Sequence, residues 1–155
     1  MLALCGKVLA QGIEVEVTPS SQAATAGSTI DYTLNITNNL GTYAWINKID
    51  VYVPQGWSYT LDPDLVDEQL DPGESVETTI HISIPSTASA GSYSNKVEVE
   101  VRYWEQVGWK WTLKTCKDDS EFKTQVRAAI PEFTTVAIPA LIAIAVVVLI
   151  GRRMT

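Results

Sequence analysis

From Gly12 onward the chain alternates apolar and polar residues with a period of two, the mark of strands that bury one face. Ile13, Val15 and Val17 alternate with Glu14, Glu16 and Thr18 until Pro19-Ser20-Ser21 breaks the run. Gln22 to Ala26 reads as a short edge segment closed by Gly27. Thr29 to Thr37 then sets Ile30, Tyr32, Leu34 and Ile36 against Asp31, Thr33, Asn35 and Thr37. After the turn cluster Asn38-Asn39-Leu40-Gly41, Trp45, Ile49, Val51 and Val53 read as the inner face of another strand, stopped by Pro54-Gln55-Gly56. Trp57 to Leu61 is a short further strand. Past Asp71-Pro72-Gly73, Val76, Thr78, Ile80, Ile82 and Ile84 point inward, while Glu77, Thr79, His81 and Ser83 face water. Tyr93 opens a long strand with Val97, Val99 and Val101 inward. Gln106-Val107-Gly108 turns it into a closing strand bearing Trp109, Trp111 and Leu113.

Short strands with a turn about every 8 to 12 residues, and no amphipathic helix between them, predict an all-β fold. The expected architecture is an Ig-like antiparallel β-sandwich of about seven strands over residues 12–116, followed by a C-terminal transmembrane helix. Residues 117–129 turn polar, with Phe122 and Val126 the only sizeable apolar side chains, and read as a polar stalk. Three stretches carry a resemblance: Val51-Tyr52-Val53-Pro54-Gln55-Gly56-Trp57, Leu70-Asp71-Pro72-Gly73-Glu74 and Ala90-Gly91-Ser92-Tyr93. With the loose Ile82-Ser83-Ile84-Pro85, the part from about Val15 to Val101 resembles the alpha-galactosidase-associated and CARDB-like extracellular Ig-like domains. That resemblance implies a fold and says little about chemistry.

Residues 130–155 are of another kind. Pro131-Glu132-Phe133 and two threonines lead into an apolar run from Val136 to Ile150, closed by Gly151-Arg152-Arg153. The uncharged stretch is about 18 residues, the lower edge of what crosses a bilayer, and Arg152 and Arg153 fit its cytoplasmic side. The order of these elements resembles the archaeal PEF-CTERM sorting signal. It implies that Pro131, Glu132 and Phe133 are read by an archaeosortase-like processing enzyme, and that everything upstream lies at the cell surface. Residues 1–11, with Val8-Leu9-Ala10 before Gln11, read as a signal-peptide remnant interrupted by Lys7.

The net charge is −7, which sets the chain against nucleic acid as a partner. Of the two cysteines, Cys5 lies in the remnant, leaving Cys116 alone and read as inert. Catalysis has little material: the one histidine, His81, shares its face with Glu77 as an ordinary surface pair, and no phosphate loop or zinc spacing occurs. The acidic loop Asp62–Glu74 is a weak calcium candidate, against the ordinary reading of a solvated loop. Asn35-Ile36-Thr37 is a glycosylation sequon on the outward phase of its strand.

Trp104, Trp109 and Trp111 crowd one hairpin with Tyr103. Exposed, they would stack on sugars; the alternation of Trp109 and Trp111 with Leu113 favours core packing, and the direction of Trp104 is open. The expected protein is therefore a non-enzymatic, membrane-anchored or enzymatically sorted envelope component, structural or adhesive, associating with itself or with envelope polymers. The alternative is a carbohydrate- or cell-wall-binding module on the same anchor, and exposure of the three tryptophans would separate the two.

Overall fold

The computed structural model describes residues 12–128; the signal remnant, the Pro131-Glu132-Phe133 motif, the apolar run and Arg152-Arg153 lie outside the described residues. Nine strands form: β1 (Ile13–Thr18), β2 (Ser21–Thr25), β3 (Thr29–Asn38), β4 (Ala44–Tyr52), β5 (Ser58–Asp62), β6 (Gln69–Leu70), β7 (Ser75–Ser83), β8 (Gly91–Val107) and β9 (Lys110–Arg127). One sheet runs β1-β3-β7-β5 and the other β2-β9-β8-β4-β6. No helix among the described residues is long and apolar enough to cross a membrane. The all-β, two-sheet expectation holds. Two short strands, β2 and β6, join the larger ones, and β2 pairs with β9 in parallel rather than antiparallel.

The alternation explains the core. Ile13, Val15 and Val17 of β1, Ile30, Tyr32, Leu34 and Ile36 of β3, and Ile80 and Ile82 of β7 are all buried. They meet Ile46, Ile49, Val51, Val97, Val99 and Val101 from the other sheet in one apolar cluster. Each such aliphatic side chain contributes about 1.5–3 kcal/mol relative to leaving it in water. Proline lacks the donor a ladder needs, so the sheet switch between β1 and β2 falls at Pro19.

Two expectations are corrected. The stretch 117–129 is not a stalk as far as Arg127, because Lys117 to Arg127 is the second half of β9. Phe122, Thr124 and Val126 are buried there, with the Phe122 ring centre 4.6 Å from that of Tyr32. Asp118 and Thr124 take inward places because each has a hydrogen-bond partner. Asp118 accepts from the backbone N–H of Val15, 2.9 Å away, and Thr124 meets both the Tyr32 hydroxyl at 2.8 Å and Asn95 Nδ2 at 2.9 Å. The second correction is Trp45. A register shift between Ile46 and Lys48 inserts a bulge at Asn47, so Ala44 and Ile46 point inward and Trp45 points out.

Candidate functional site

The last hairpin carries the candidate site. Arg102 of β8 faces Thr115 of β9, Trp104 faces Leu113, Gln106 faces Trp111, and Val107 faces Lys110. The turn is therefore Gly108-Trp109, with Gly108 at φ 62°, a backbone region that suits glycine. Val101 is the last fully buried residue of β8, and from Trp104 to Thr115 every residue is exposed. This end of the hairpin has no opposite sheet to cover it.

The tryptophans stand in solvent. Trp109 is 101% exposed, Trp111 62%, Leu113 48% and Trp104 44%, so the expected core packing of Trp109, Trp111 and Leu113 is overturned. The reason is register. Counted from the inward pair Val101 and Cys116, Trp104, Leu113 and Trp111 fall on the outer face of the sheet, where Arg102 also lies. Trp45, paired with Arg102 across β4 and β8, joins that face through the bulge. Trp45, Trp104 and Trp111 thus form a diagonal ladder across three neighbouring strands, each step one residue pair over and two along. Diagonal neighbours of this kind are about 7–8 Å apart at the backbone, within reach of large aromatic side chains.

Two hollows flank the ladder. One, about 310 Å³, is lined by Trp45, Arg102, Trp104 and Leu113. The other, about 400 Å³, lies between the loop Leu40–Thr42 and the side formed by Tyr103, Trp104 and Trp111. That loop is held by the fully buried Asn38, whose Nδ2 donates to the carbonyls of Thr42, Leu70 and Asp71 and whose Oδ1 accepts from Leu40 N. Below the ladder, the same face of the sheet is a lattice of paired charges. Lys117 sits between Glu98 and Glu100 at 3.2 and 3.1 Å, and Lys96 reaches Asp119 at 3.3 Å. Hydrogen bonds from Lys117 and then Asn47 hold the Glu100 carboxyl below its usual range. Glu100 and Glu98 in turn hold the Lys117 ammonium above its own.

Other candidates fall elsewhere. His81 pairs through Nδ1 with Asp31, 2.6 Å away on β3, rather than with Glu77, on the outer face of the four-stranded sheet. In the loop Asp62–Glu74 the carboxylates are turned to local work. Asp64 accepts from Val66 N, Glu74 from Asp71 N, and Asp67 meets Arg102. Among the described residues no three His, Cys, Asp or Glu side chains gather to hold a metal. Asn35 lies mid-strand between Glu16 of β1 and Glu77 of β7, half-buried, with its Oδ1 buried and unpaired. Cys116 is partly buried and has no disulfide partner among the described residues. A further hollow of about 490 Å³ lies between β2 and the start of β3, lined by Gln22, Asp31 and Arg127 among others.

The fold defines a two-sheet Ig-like domain. The chain belongs to the NPCBM-associated, NEW3 domain of alpha-galactosidase family, whose model matches residues 24–103. An accessory family of this kind fits a non-enzymatic extracellular domain. The match ends one residue before Trp104, so all of β9 lies beyond it.

Three solved structures show a distant similarity to the chain. The ASH / PapD-like domain 7 of human CEP192 is 13% identical over 83% of this chain and 94% of its own, with a TM-score of 0.43. The secreted serine protease VesC of Vibrio cholerae is 11% identical over 77% of this chain, TM-score 0.48, and a family 123 glycoside hydrolase of Clostridium perfringens is 13% identical over 70%, TM-score 0.40. This chain spans 23% of the protease and 23% of the hydrolase. No curated protein matches the chain.

Proposed function

We propose that this protein is a non-enzymatic, outward-facing surface domain, held at a membrane by its C-terminal apolar stretch, that binds envelope carbohydrate through Trp45, Trp104 and Trp111. The observation that supports this reading is the exposure of Trp104, Trp111 and Leu113 on one sheet face, beside two hollows. Exposing large aromatic rings is costly in water, and a contiguous uncovered set marks an interaction surface. Indole faces stack on the C–H faces of pyranose rings, and the interleaved Arg102, Gln106 and Thr115 offer hydrogen bonds to hydroxyls. A purely structural role through strand edges gives these rings no work.

Position also favours a partner other than the protein's own membrane. At about 3.3 Å per residue, the hairpin turn and Arg127 stand about 55 Å apart along β9. A membrane reached through the residues after Arg127 lies at the opposite end from the tryptophans. On this reading Pro131, Glu132 and Phe133 are the recognition motif of an archaeosortase-like enzyme, and Arg152 and Arg153 lie inside the cell.

Affinity electrophoresis of the domain against a panel of neutral and acidic polysaccharides tests the reading. Wild type should be retarded by at least one of them, and Trp104→Ala and Trp111→Ala should each remove the retardation while melting as wild type does. No retardation by any polysaccharide, or retardation indifferent to both substitutions, would overturn it.

A further inference from the structure

The ladder has a cation set into it, and the geometry points to a carboxylated pyranose, a uronate unit of an acidic polysaccharide, as its preferred ligand. The inference rests on the carbohydrate reading and adds the charge of the sugar. Arg102 lies with Trp45, Trp104 and Leu113 around one hollow of about 310 Å³, so its guanidinium edges the same space as two indoles. A ring stacked on an indole there would bring a substituent of that ring within reach of a planar fork that matches a carboxylate.

Arg102 is weakly held. Its one carboxylate partner among the described residues is Asp67, at a long 3.4 Å, and that Asp67 side chain is 80% exposed. Glu100, the nearer acid on its own strand and face, is already bound by Lys117 and Asn47. An incoming carboxylate therefore replaces a loose, solvent-screened contact with a bidentate one.

Charge distribution sharpens the argument. From Val101 to Thr115 there are three basic residues, Arg102, Lys110 and Lys114, against the single acid Glu105. Glu105 is paired with Lys114 at 3.5 Å. The rest of the described domain is strongly acidic. A polyanion is repelled everywhere except at the hairpin end, which orients it onto the tryptophans.

The test measures binding of the purified domain to polygalacturonate, to neutral galactan, to dextran sulfate and to vesicles of anionic phospholipid, at low and physiological salt. Polygalacturonate should bind about tenfold or more tightly than galactan. Arg102→Gln should weaken polygalacturonate binding far more than galactan binding and so erase the difference, Arg102→Lys should restore only part of it, and Asp67→Asn should strengthen polygalacturonate binding a few-fold. Equal binding of polygalacturonate and galactan, both lost in Trp104→Ala, would overturn the acidic preference and leave the carbohydrate reading standing. Binding to dextran sulfate or to vesicles as tight as to polygalacturonate would reduce the site to a general polyanion patch and overturn the inference. Binding to none of the four would overturn both readings.

Discussion

Tyr32 of one sheet donates its hydroxyl to the backbone carbonyl of Lys123 in the other, 2.9 Å away, while its ring leans on Phe122 at 4.6 Å. The two sheets are thus pinned through the second half of β9. Phe122→Ala should destabilise the domain by about 3–5 kcal/mol in denaturant unfolding, the usual range for emptying an aromatic site. A chain ending at Cys116 should fail to fold, because it leaves Tyr32 and Asn95 without Thr124 and opens the core. A folded truncated domain would show that β9 beyond Cys116 is dispensable.

How much of this was legible in the sequence depends on where each strand sits. The inward sets of β3 and β8, Ile30 to Ile36 and Val97 to Val101, stand on central strands and alternate there without interruption with polar neighbours, so alternation reads them directly. The second half of β9 was illegible because Asp118 and Ser120 hold inward positions, Asp118 where the sheet meets the backbone of β1. Trp45 was misplaced by one inserted residue, although Ile46 and Ile49, three apart, carry the odd spacing that betrays a bulge. Trp109 and Trp111 alternate in phase with Leu113, an apolar pattern that reads as a core face when the turn is set at Gln106-Val107-Gly108. The true turn is Gly108-Trp109, and a shift of one residue exchanges the two faces of a strand.

Exposed side chains outside the core and away from caps change stability little. Trp104→Ala, Trp111→Ala and Leu113→Ala should each fall within about 0.5 kcal/mol of wild type by urea unfolding. Ile82→Asp and Val99→Asp should unfold the domain, because each would bury an unpaired charge. Comparable losses in both sets would place the hairpin face in the core.

Acid sensitivity should trace in part to Glu100. Its carboxyl is lowered in the folded state by Lys117 and Asn47, so its contribution is complete above the unfolded value of about 4.3 and is lost as pH falls through that value toward the lower folded one. Glu100→Gln should therefore lose less stability than wild type between neutral pH and about pH 3, in melts recorded at low salt. Parallel pH profiles would remove the linkage.

The anchor proposal separates into two measurements. Asp at Ala143 and Val147 should release the protein from membranes, since each charge costs about 2.5–3.5 kcal/mol at the centre of an inserted helix. Glu132→Ala leaves the apolar run intact, so membrane fractionation should be unchanged while C-terminal trimming stops. Mature protein that retains Arg153 irrespective of Glu132 would leave a tail anchor and no sorting.

The unbroken length of β9 has a mechanical side. Trp111 and Arg127 lie on the same covalent strand, already extended and flanked along its far half by both β8 and the parallel β2. Tension applied at the tryptophans and resisted beyond Arg127 runs down one backbone whose slack has been removed by folding. Load entering at Trp104 on β8 or Trp45 on β4 reaches β9 through ladder hydrogen bonds that lie across the line of pull, and these would share it in shear instead of opening one after another. A tether built this way transmits force without needing the sandwich to yield.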